Sequence, residues 1–116
     1  MKAKIISQFN KKRLILHKII PLRIPLVIYV EPSGFCNLKC NFCPHGEAYK
    51  SGKSFKKDIM SIELWKKLIK DISEFKDKVK LIRVCGNGDP LTHKDIVELI
   101  KYTKSQKVME KIEPLF

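Results

Sequence analysis

No acidic residue precedes Glu31, whereas the same stretch carries Lys2, Lys4, Lys11, Lys12, Arg13, Lys18 and Arg23. Across the chain of 116 residues, 24 Lys and Arg stand against 12 Asp and Glu, a formal net charge of +12. Such an excess draws phosphates or anionic membrane without specificity. Arginine is scarce beside lysine, and no cluster of Arg and aromatic side chains is present to read bases. The charge therefore reads as a solvated lysine surface, with no specific nucleic-acid partner expected. Long apolar runs are missing too. The longest uncharged stretch near the start, residues 24–30, has strand length and falls far short of the ~18 residues of a membrane span. No apolar segment with a small-residue cleavage site follows the early basic stretch. These absences lead to the expectation of a reducing, cytoplasmic setting, where clustered cysteines bind metal or do redox work more often than they form disulfides.

What remains is enough for a modest core. A hydrophobic share of 44% excludes a disordered tail. The length suits one small domain or a piece of a larger one, able to bury about 65% of its unfolded surface. Residues 1–25 mix basic and apolar side chains and read as a basic amphipathic extension, helical up to Pro21. Residues 26–116 read as the α/β part. Leu26 to Val30 form a continuous β-prone run, as expected of a strand covered on both faces in a parallel sheet. Ser61 has the position of an N-cap, and Trp65, Leu68, Ile69, Ile72 and Phe75 then recur at helical spacing. Residues 80–85 read as a second strand. Thr92 and Asp95 have capping-box spacing before a helix carrying Ile96, Val97 and Ile100, and residues near 110 form a third strand. This order is the βαβ pattern of a parallel sheet or barrel. Two loops follow strand ends in it, the cysteine loop after residue 30 and Gly-Asn-Gly-Asp-Pro at 86–90, and α/β folds build their sites at such ends.

The first of those loops holds Cys36, Cys40 and Cys43 within eight positions. Three thiols are one too many for a disulfide and one too few for a closed tetrahedral zinc site. Thiolates suit iron-sulfur clusters, and short unequal spacings let one loop wrap a cubane with three sulfurs. One iron then keeps an open position, the device that separates catalytic from structural metal sites. A zinc knuckle completed by His45 is the bland rival, with its histidine only two residues after Cys43, tighter than usual ligand spacings. That rival would make the chain a noncatalytic basic zinc module attracted to nucleic acid.

The pattern Cys36-Asn-Leu-Lys-Cys40-Asn-Phe-Cys43 after a buried strand resembles the CxxxCxxC signature of the radical SAM superfamily, with Phe42 as the aromatic residue before the last cysteine. The resemblance implies a [4Fe-4S] cluster on Cys36, Cys40 and Cys43, whose open iron chelates S-adenosylmethionine for reductive cleavage to a 5'-deoxyadenosyl radical. It also implies an electron donor such as a flavodoxin or ferredoxin. The expected fold is α/β, with βαβ units of a partial TIM-like barrel, truncated because the chain stops where a third strand is entered. Residues 86–90 resemble the family's GGEP motif, which contacts the methionyl amino group. Asn87 takes the place of the first Gly, Gly88 of the second, Asp89 of the Glu and Pro90 of the Pro. Phe42 is expected to border the adenine through its backbone. Residues 26–113 are most similar to the subgroup whose members add a SPASM-type domain and act on peptides, proteins or small metabolites, with the substrate here unknown. Cys85, His93, Tyr29, Trp65 and Tyr102 are assigned to packing.

Overall fold

The computed structural model describes residues 15–43 and 58–114. Their order is β1 (Val27–Val30), α1 (Ile62–Ser73), β2 (Val79–Val84), α2 (Ile96–Ser105) and β3 (Met109–Pro114), with three-residue 3-10 turns at Leu16–Lys18 and Pro90–Thr92. The strands form one open parallel sheet in the order β1-β2-β3. Parallel neighbours need a crossover, and each helix supplies one. The α/β architecture expected from the sequence is therefore present, as successive βαβ units lying side by side.

The register sorts the strand residues. Ile28, Ile82 and Ile112 lie level with one another, as do Val30 and Val84. These residues join Trp65, Ile69 and Ile72 of α1 and Ile96 and Leu99 of α2 in a single core. The intervening positions, Val27, Tyr29, Leu81 and Arg83, alternate to the other face. There Tyr29 is 62% exposed, with its hydroxyl 3.0 Å from Arg83 Nη1 and the guanidinium over its ring. Among the described residues β1 is thus covered on one face, not two. Its apolar run looked like a fully buried strand because Val, Ile and Tyr favour a pleated strand even where one face is left open.

Helix α1 begins where its cap was expected: Ser61 Oγ accepts from Leu64 N at 3.2 Å. The carboxyl of Glu63 in its first turn is held below the usual carboxylate range, by its own backbone N–H first and the Ser61 hydroxyl second. Phe75 lies beyond the helix end. Helix α2 departs from expectation. Asp95 is its N-cap without a side-chain cap bond, and Thr92 belongs to the preceding 3-10 turn, where its hydroxyl has other partners. Of the three apolar residues expected to face the core, Ile96 is buried and Ile100 packs against the core, while Val97 points outward and Leu99 and Thr103 complete the buried face. In the N-terminal extension, the described part before Pro21 is one exposed 3-10 turn rather than the end of a long helix; residues 1–14 lie outside the described residues. No described helix is long and apolar enough to cross a membrane.

Trp65 joins the two helices. Its ring is fully buried, and Nε1 donates to Thr103 Oγ1 at 2.9 Å while that hydroxyl donates to Leu99 O at 2.8 Å. Every polar atom of this contact is satisfied, so its value lies in avoiding an orphaned indole N–H. Thr103→Val removes the acceptor at nearly constant volume and is expected to lower unfolding free energy by about 1–3 kcal/mol in urea titrations with an unchanged m-value. Trp65→Phe combined with it is expected to cost less than the sum of the two single changes, since each removes the same bond.

Candidate functional site

Because Val30 lies level with Val84, β1 and β2 end at the same edge of the sheet. Cys85 N donates to Val30 O at 3.0 Å, closing the ladder where both chains leave it. The two loops singled out in the sequence therefore emerge side by side at the C-terminal edge.

They are also interlocked. Glu31, the first residue past β1, turns its carboxylate across the second loop, where Oε1 accepts from Gly88 N at 2.7 Å. A side chain at position 86 would collide with that of Glu31, and one at 88 would run into the backbone of Ser33, Gly34 and Phe35. Both glycines are thus demanded by close approach. Asp89 N donates to Phe35 O at 2.7 Å. Between them Thr92 Oγ1 stands 2.7 Å from Ser33 Oγ, 3.1 Å from Phe35 O and 2.7 Å from Asp89 O. Carbonyls only accept and Thr92 has one hydroxyl proton, so that proton goes to the carbonyls and Ser33 must donate to Thr92. Ser33 Oγ in turn accepts from Phe35 N at 3.2 Å. The chain of donors runs one way, from Phe35 N–H through Ser33 and Thr92 to the carbonyls.

A third segment completes the clasp. Gly34 N donates to Asp58 O and Met60 N to Pro32 O, each at 2.9 Å, so the stretch before α1 lies against the root of the cysteine loop. His93, expected in the first turn of α2 without a partner, lies before that helix, buried and bonded at both nitrogens. Nε2 is 2.8 Å from Met60 O and Nδ1 accepts from Asp95 N at 3.1 Å, which selects the Nε2–H tautomer. Its role is structural, as expected, though its partners were not legible.

Cys36, Cys40 and Cys43 are free and partly buried. They occupy one loop, with Cys43 N donating to Cys40 O at 3.2 Å. Among the described residues no three His, Cys, Asp or Glu side chains stand close enough to hold a metal ion. The cysteines thus share a loop without converging on one point. A cubane joins each thiolate to a different iron and so sets its donors wider apart than the ligands of one ion. Three thiols on a loop outside any helix or strand suit such a cluster in number and softness. His45, the fourth ligand of a zinc knuckle, lies outside the described residues. Phe42 is 92% exposed beside Cys43. In the second loop Asn87 is exposed, Gly88 is buried, and Asp89 Oδ1 caps the 3-10 turn by accepting from Leu91 N at 2.9 Å. Cys85, at the end of β2, is partly buried and free.

The residues missed in the sequence are Glu31, Ser33 and Thr92. One signal was available: two glycines spaced by one residue after a strand mark a backbone that something approaches closely. What approaches comes from 57 residues earlier, and no local pattern records that. A depression of about 380 Å³, lined by Lys78, Lys104, Lys107, Glu110 and Lys111 among others, is at the opposite end of the strands.

The model of the Radical SAM superfamily matches residues 30–115, from the last residue of β1 through both loops and both helices. The chain is also 32% identical over 80 residues to a PqqA peptide cyclase from Bradyrhizobium diazoefficiens. That match covers 68% of this chain and 19% of the relative, so the chain spans about a fifth of the length of the curated relative it matches. With a parallel βαβ sheet, a three-cysteine loop at the end of its first strand and a glycine-containing loop clasped against it, the chain belongs to the radical SAM superfamily.

Proposed function

We propose that the clasped loops form the cofactor end of a radical SAM enzyme, with Cys36, Cys40 and Cys43 as thiolate ligands of a [4Fe-4S] cluster and the 86–90 loop as part of the seat for S-adenosylmethionine. The observation that carries this reading is the interlock itself, which puts the cysteine loop and the glycine loop in contact at one sheet edge. When bound, the cluster supplies the electron that cleaves the sulfonium to a 5'-deoxyadenosyl radical. The chain's own part is to bind and orient. The N–H groups of Gly88 and Asp89 are spent on Glu31 and Phe35, so those two amides are not offered to a ligand. An ammonium group wants acceptors, and the Asp89 carboxylate supplies a charged one. Asn87, exposed at the crest of the loop, and the backbone beside Phe42 border the same region in this reading.

The reaction class extends to the whole protein by similarity. The relative's name describes a peptide cyclase, which favours a peptide or protein substrate over a small metabolite. A SPASM-type domain, a flavodoxin or ferredoxin as electron donor and a reducing cytoplasmic setting belong to the same proposal.

Anaerobic reconstitution is expected to give a brown protein with about four irons and four sulfides per chain. Cys36→Ala, Cys40→Ala and Cys43→Ala are each expected to lose most of that iron, while Cys85→Ala keeps it. Reduced with dithionite and given S-adenosylmethionine, the loaded chain is expected to release 5'-deoxyadenosine. A colourless protein holding one zinc per chain would decide for the zinc module instead. Gly88→Ala, whose added carbon meets fixed backbone, is expected to lower stability by about 1–3 kcal/mol and to weaken S-adenosylmethionine binding in equilibrium dialysis.

A further inference from the structure

Glu31 stands five residues before Cys36 and outside every motif, yet its carboxylate makes the shortest link between the two loops through a side chain and an amide. We propose that Glu31 is a positioning residue: it latches the 86–90 loop to the root of the cysteine loop, and the affinity for S-adenosylmethionine depends on it without any contact to that molecule. This inference rests on the function proposed above.

Three observations carry it. The bond from Gly88 N to Glu31 Oε1, at 2.7 Å, has a carboxylate acceptor, the stronger class of hydrogen bond. Gly86 leaves room for the Glu31 side chain where any other residue would displace it. The second fastening, Thr92 on Ser33 and Phe35, stands on the far side of Asp89 from the first. The loop is thus pinned at Gly88, at Asp89, whose N donates to Phe35 O, and at Thr92 to residues 31–35, which lead directly into Cys36. A loop pinned this way moves with the cysteine loop, so order imposed at either is felt at the other, and such coupling is reciprocal. Glutamine keeps the Oε1 acceptor, alanine removes it, and aspartate falls one methylene short.

The test uses Glu31→Ala, Glu31→Gln and Thr92→Val in the full chain, with two readouts. Hydrogen exchange in the cofactor-free protein is expected to speed up about tenfold or more at residues 86–89 in Glu31→Ala, from loss of one hydrogen bond to a charged group, with β2 unchanged. Glu31→Gln is expected to stay near wild type, and Thr92→Val to free residues 89–92 instead. After reconstitution, Glu31→Ala is expected to hold wild-type iron but bind S-adenosylmethionine about tenfold to hundredfold more weakly, with Glu31→Gln largely restoring affinity. Wild-type exchange and affinity in Glu31→Ala would overturn the proposal. So would loss of iron in that variant, which would make Glu31 a support of the cysteine loop alone. A wild-type chain that takes up no iron would overturn the function proposed above, and the exchange measurement, which needs no cofactor, would still decide the latch.

Discussion

Parallel pairing of β1 with β2, Val30 level with Val84, is the constraint on which the site depends. Parallel strands joined by a helix end at the same edge, so whatever follows each strand is delivered to the same place. A register slip of one residue would turn Ile82 and Val84 away from Trp65, Ile69 and Leu99, and the buried apolar face forbids it. The hydrophobic core, formed on one side of the sheet, thereby fixes the position of loops at its end.

Delivery to one edge does not by itself make two loops touch. Contact comes from small residues and short hydrogen bonds. Gly86 and Gly88 remove the side chains that would hold the loops apart, and Glu31, Ser33 and Thr92 then bridge the narrowed gap. His93 ties the stretch before α1 to the start of α2, so three chain segments separated widely in sequence close on the root of the cysteine loop. The buried side chains of the clasp, Ser33 and His93, both have hydrogen-bond partners, which helps an irregular backbone stay ordered away from a ladder.

At the far end of the sheet Lys78, Lys104, Lys107 and Lys111 line a depression together with Glu110. At the clasp two carboxylates, those of Glu31 and Asp89, accept backbone N–H groups. An excess of +12 over the whole chain therefore says little about the site, since the groups that shape the loops are a few acids and hydroxyls.

The elements and the cysteine loop were legible from residues alone because their signals are local. Ser61 before a 3.6-residue period, β-branched runs, and thiols in one short loop each state their chemistry within about a turn or a strand. The tertiary structure decided what depends on distant partners. Among the described residues it left one face of β1 open, moved Thr92 out of its apparent capping box into the clasp, turned Val97 outward and added Leu99 and Thr103 to Ile96 in the buried face of α2, and brought Glu31 onto Gly88. In each case a side chain had a plausible local use and a stronger one across the fold. Hydrogen-bond geometry at 2.7 Å and close packing choose between those uses, and neither exists until the chain has folded.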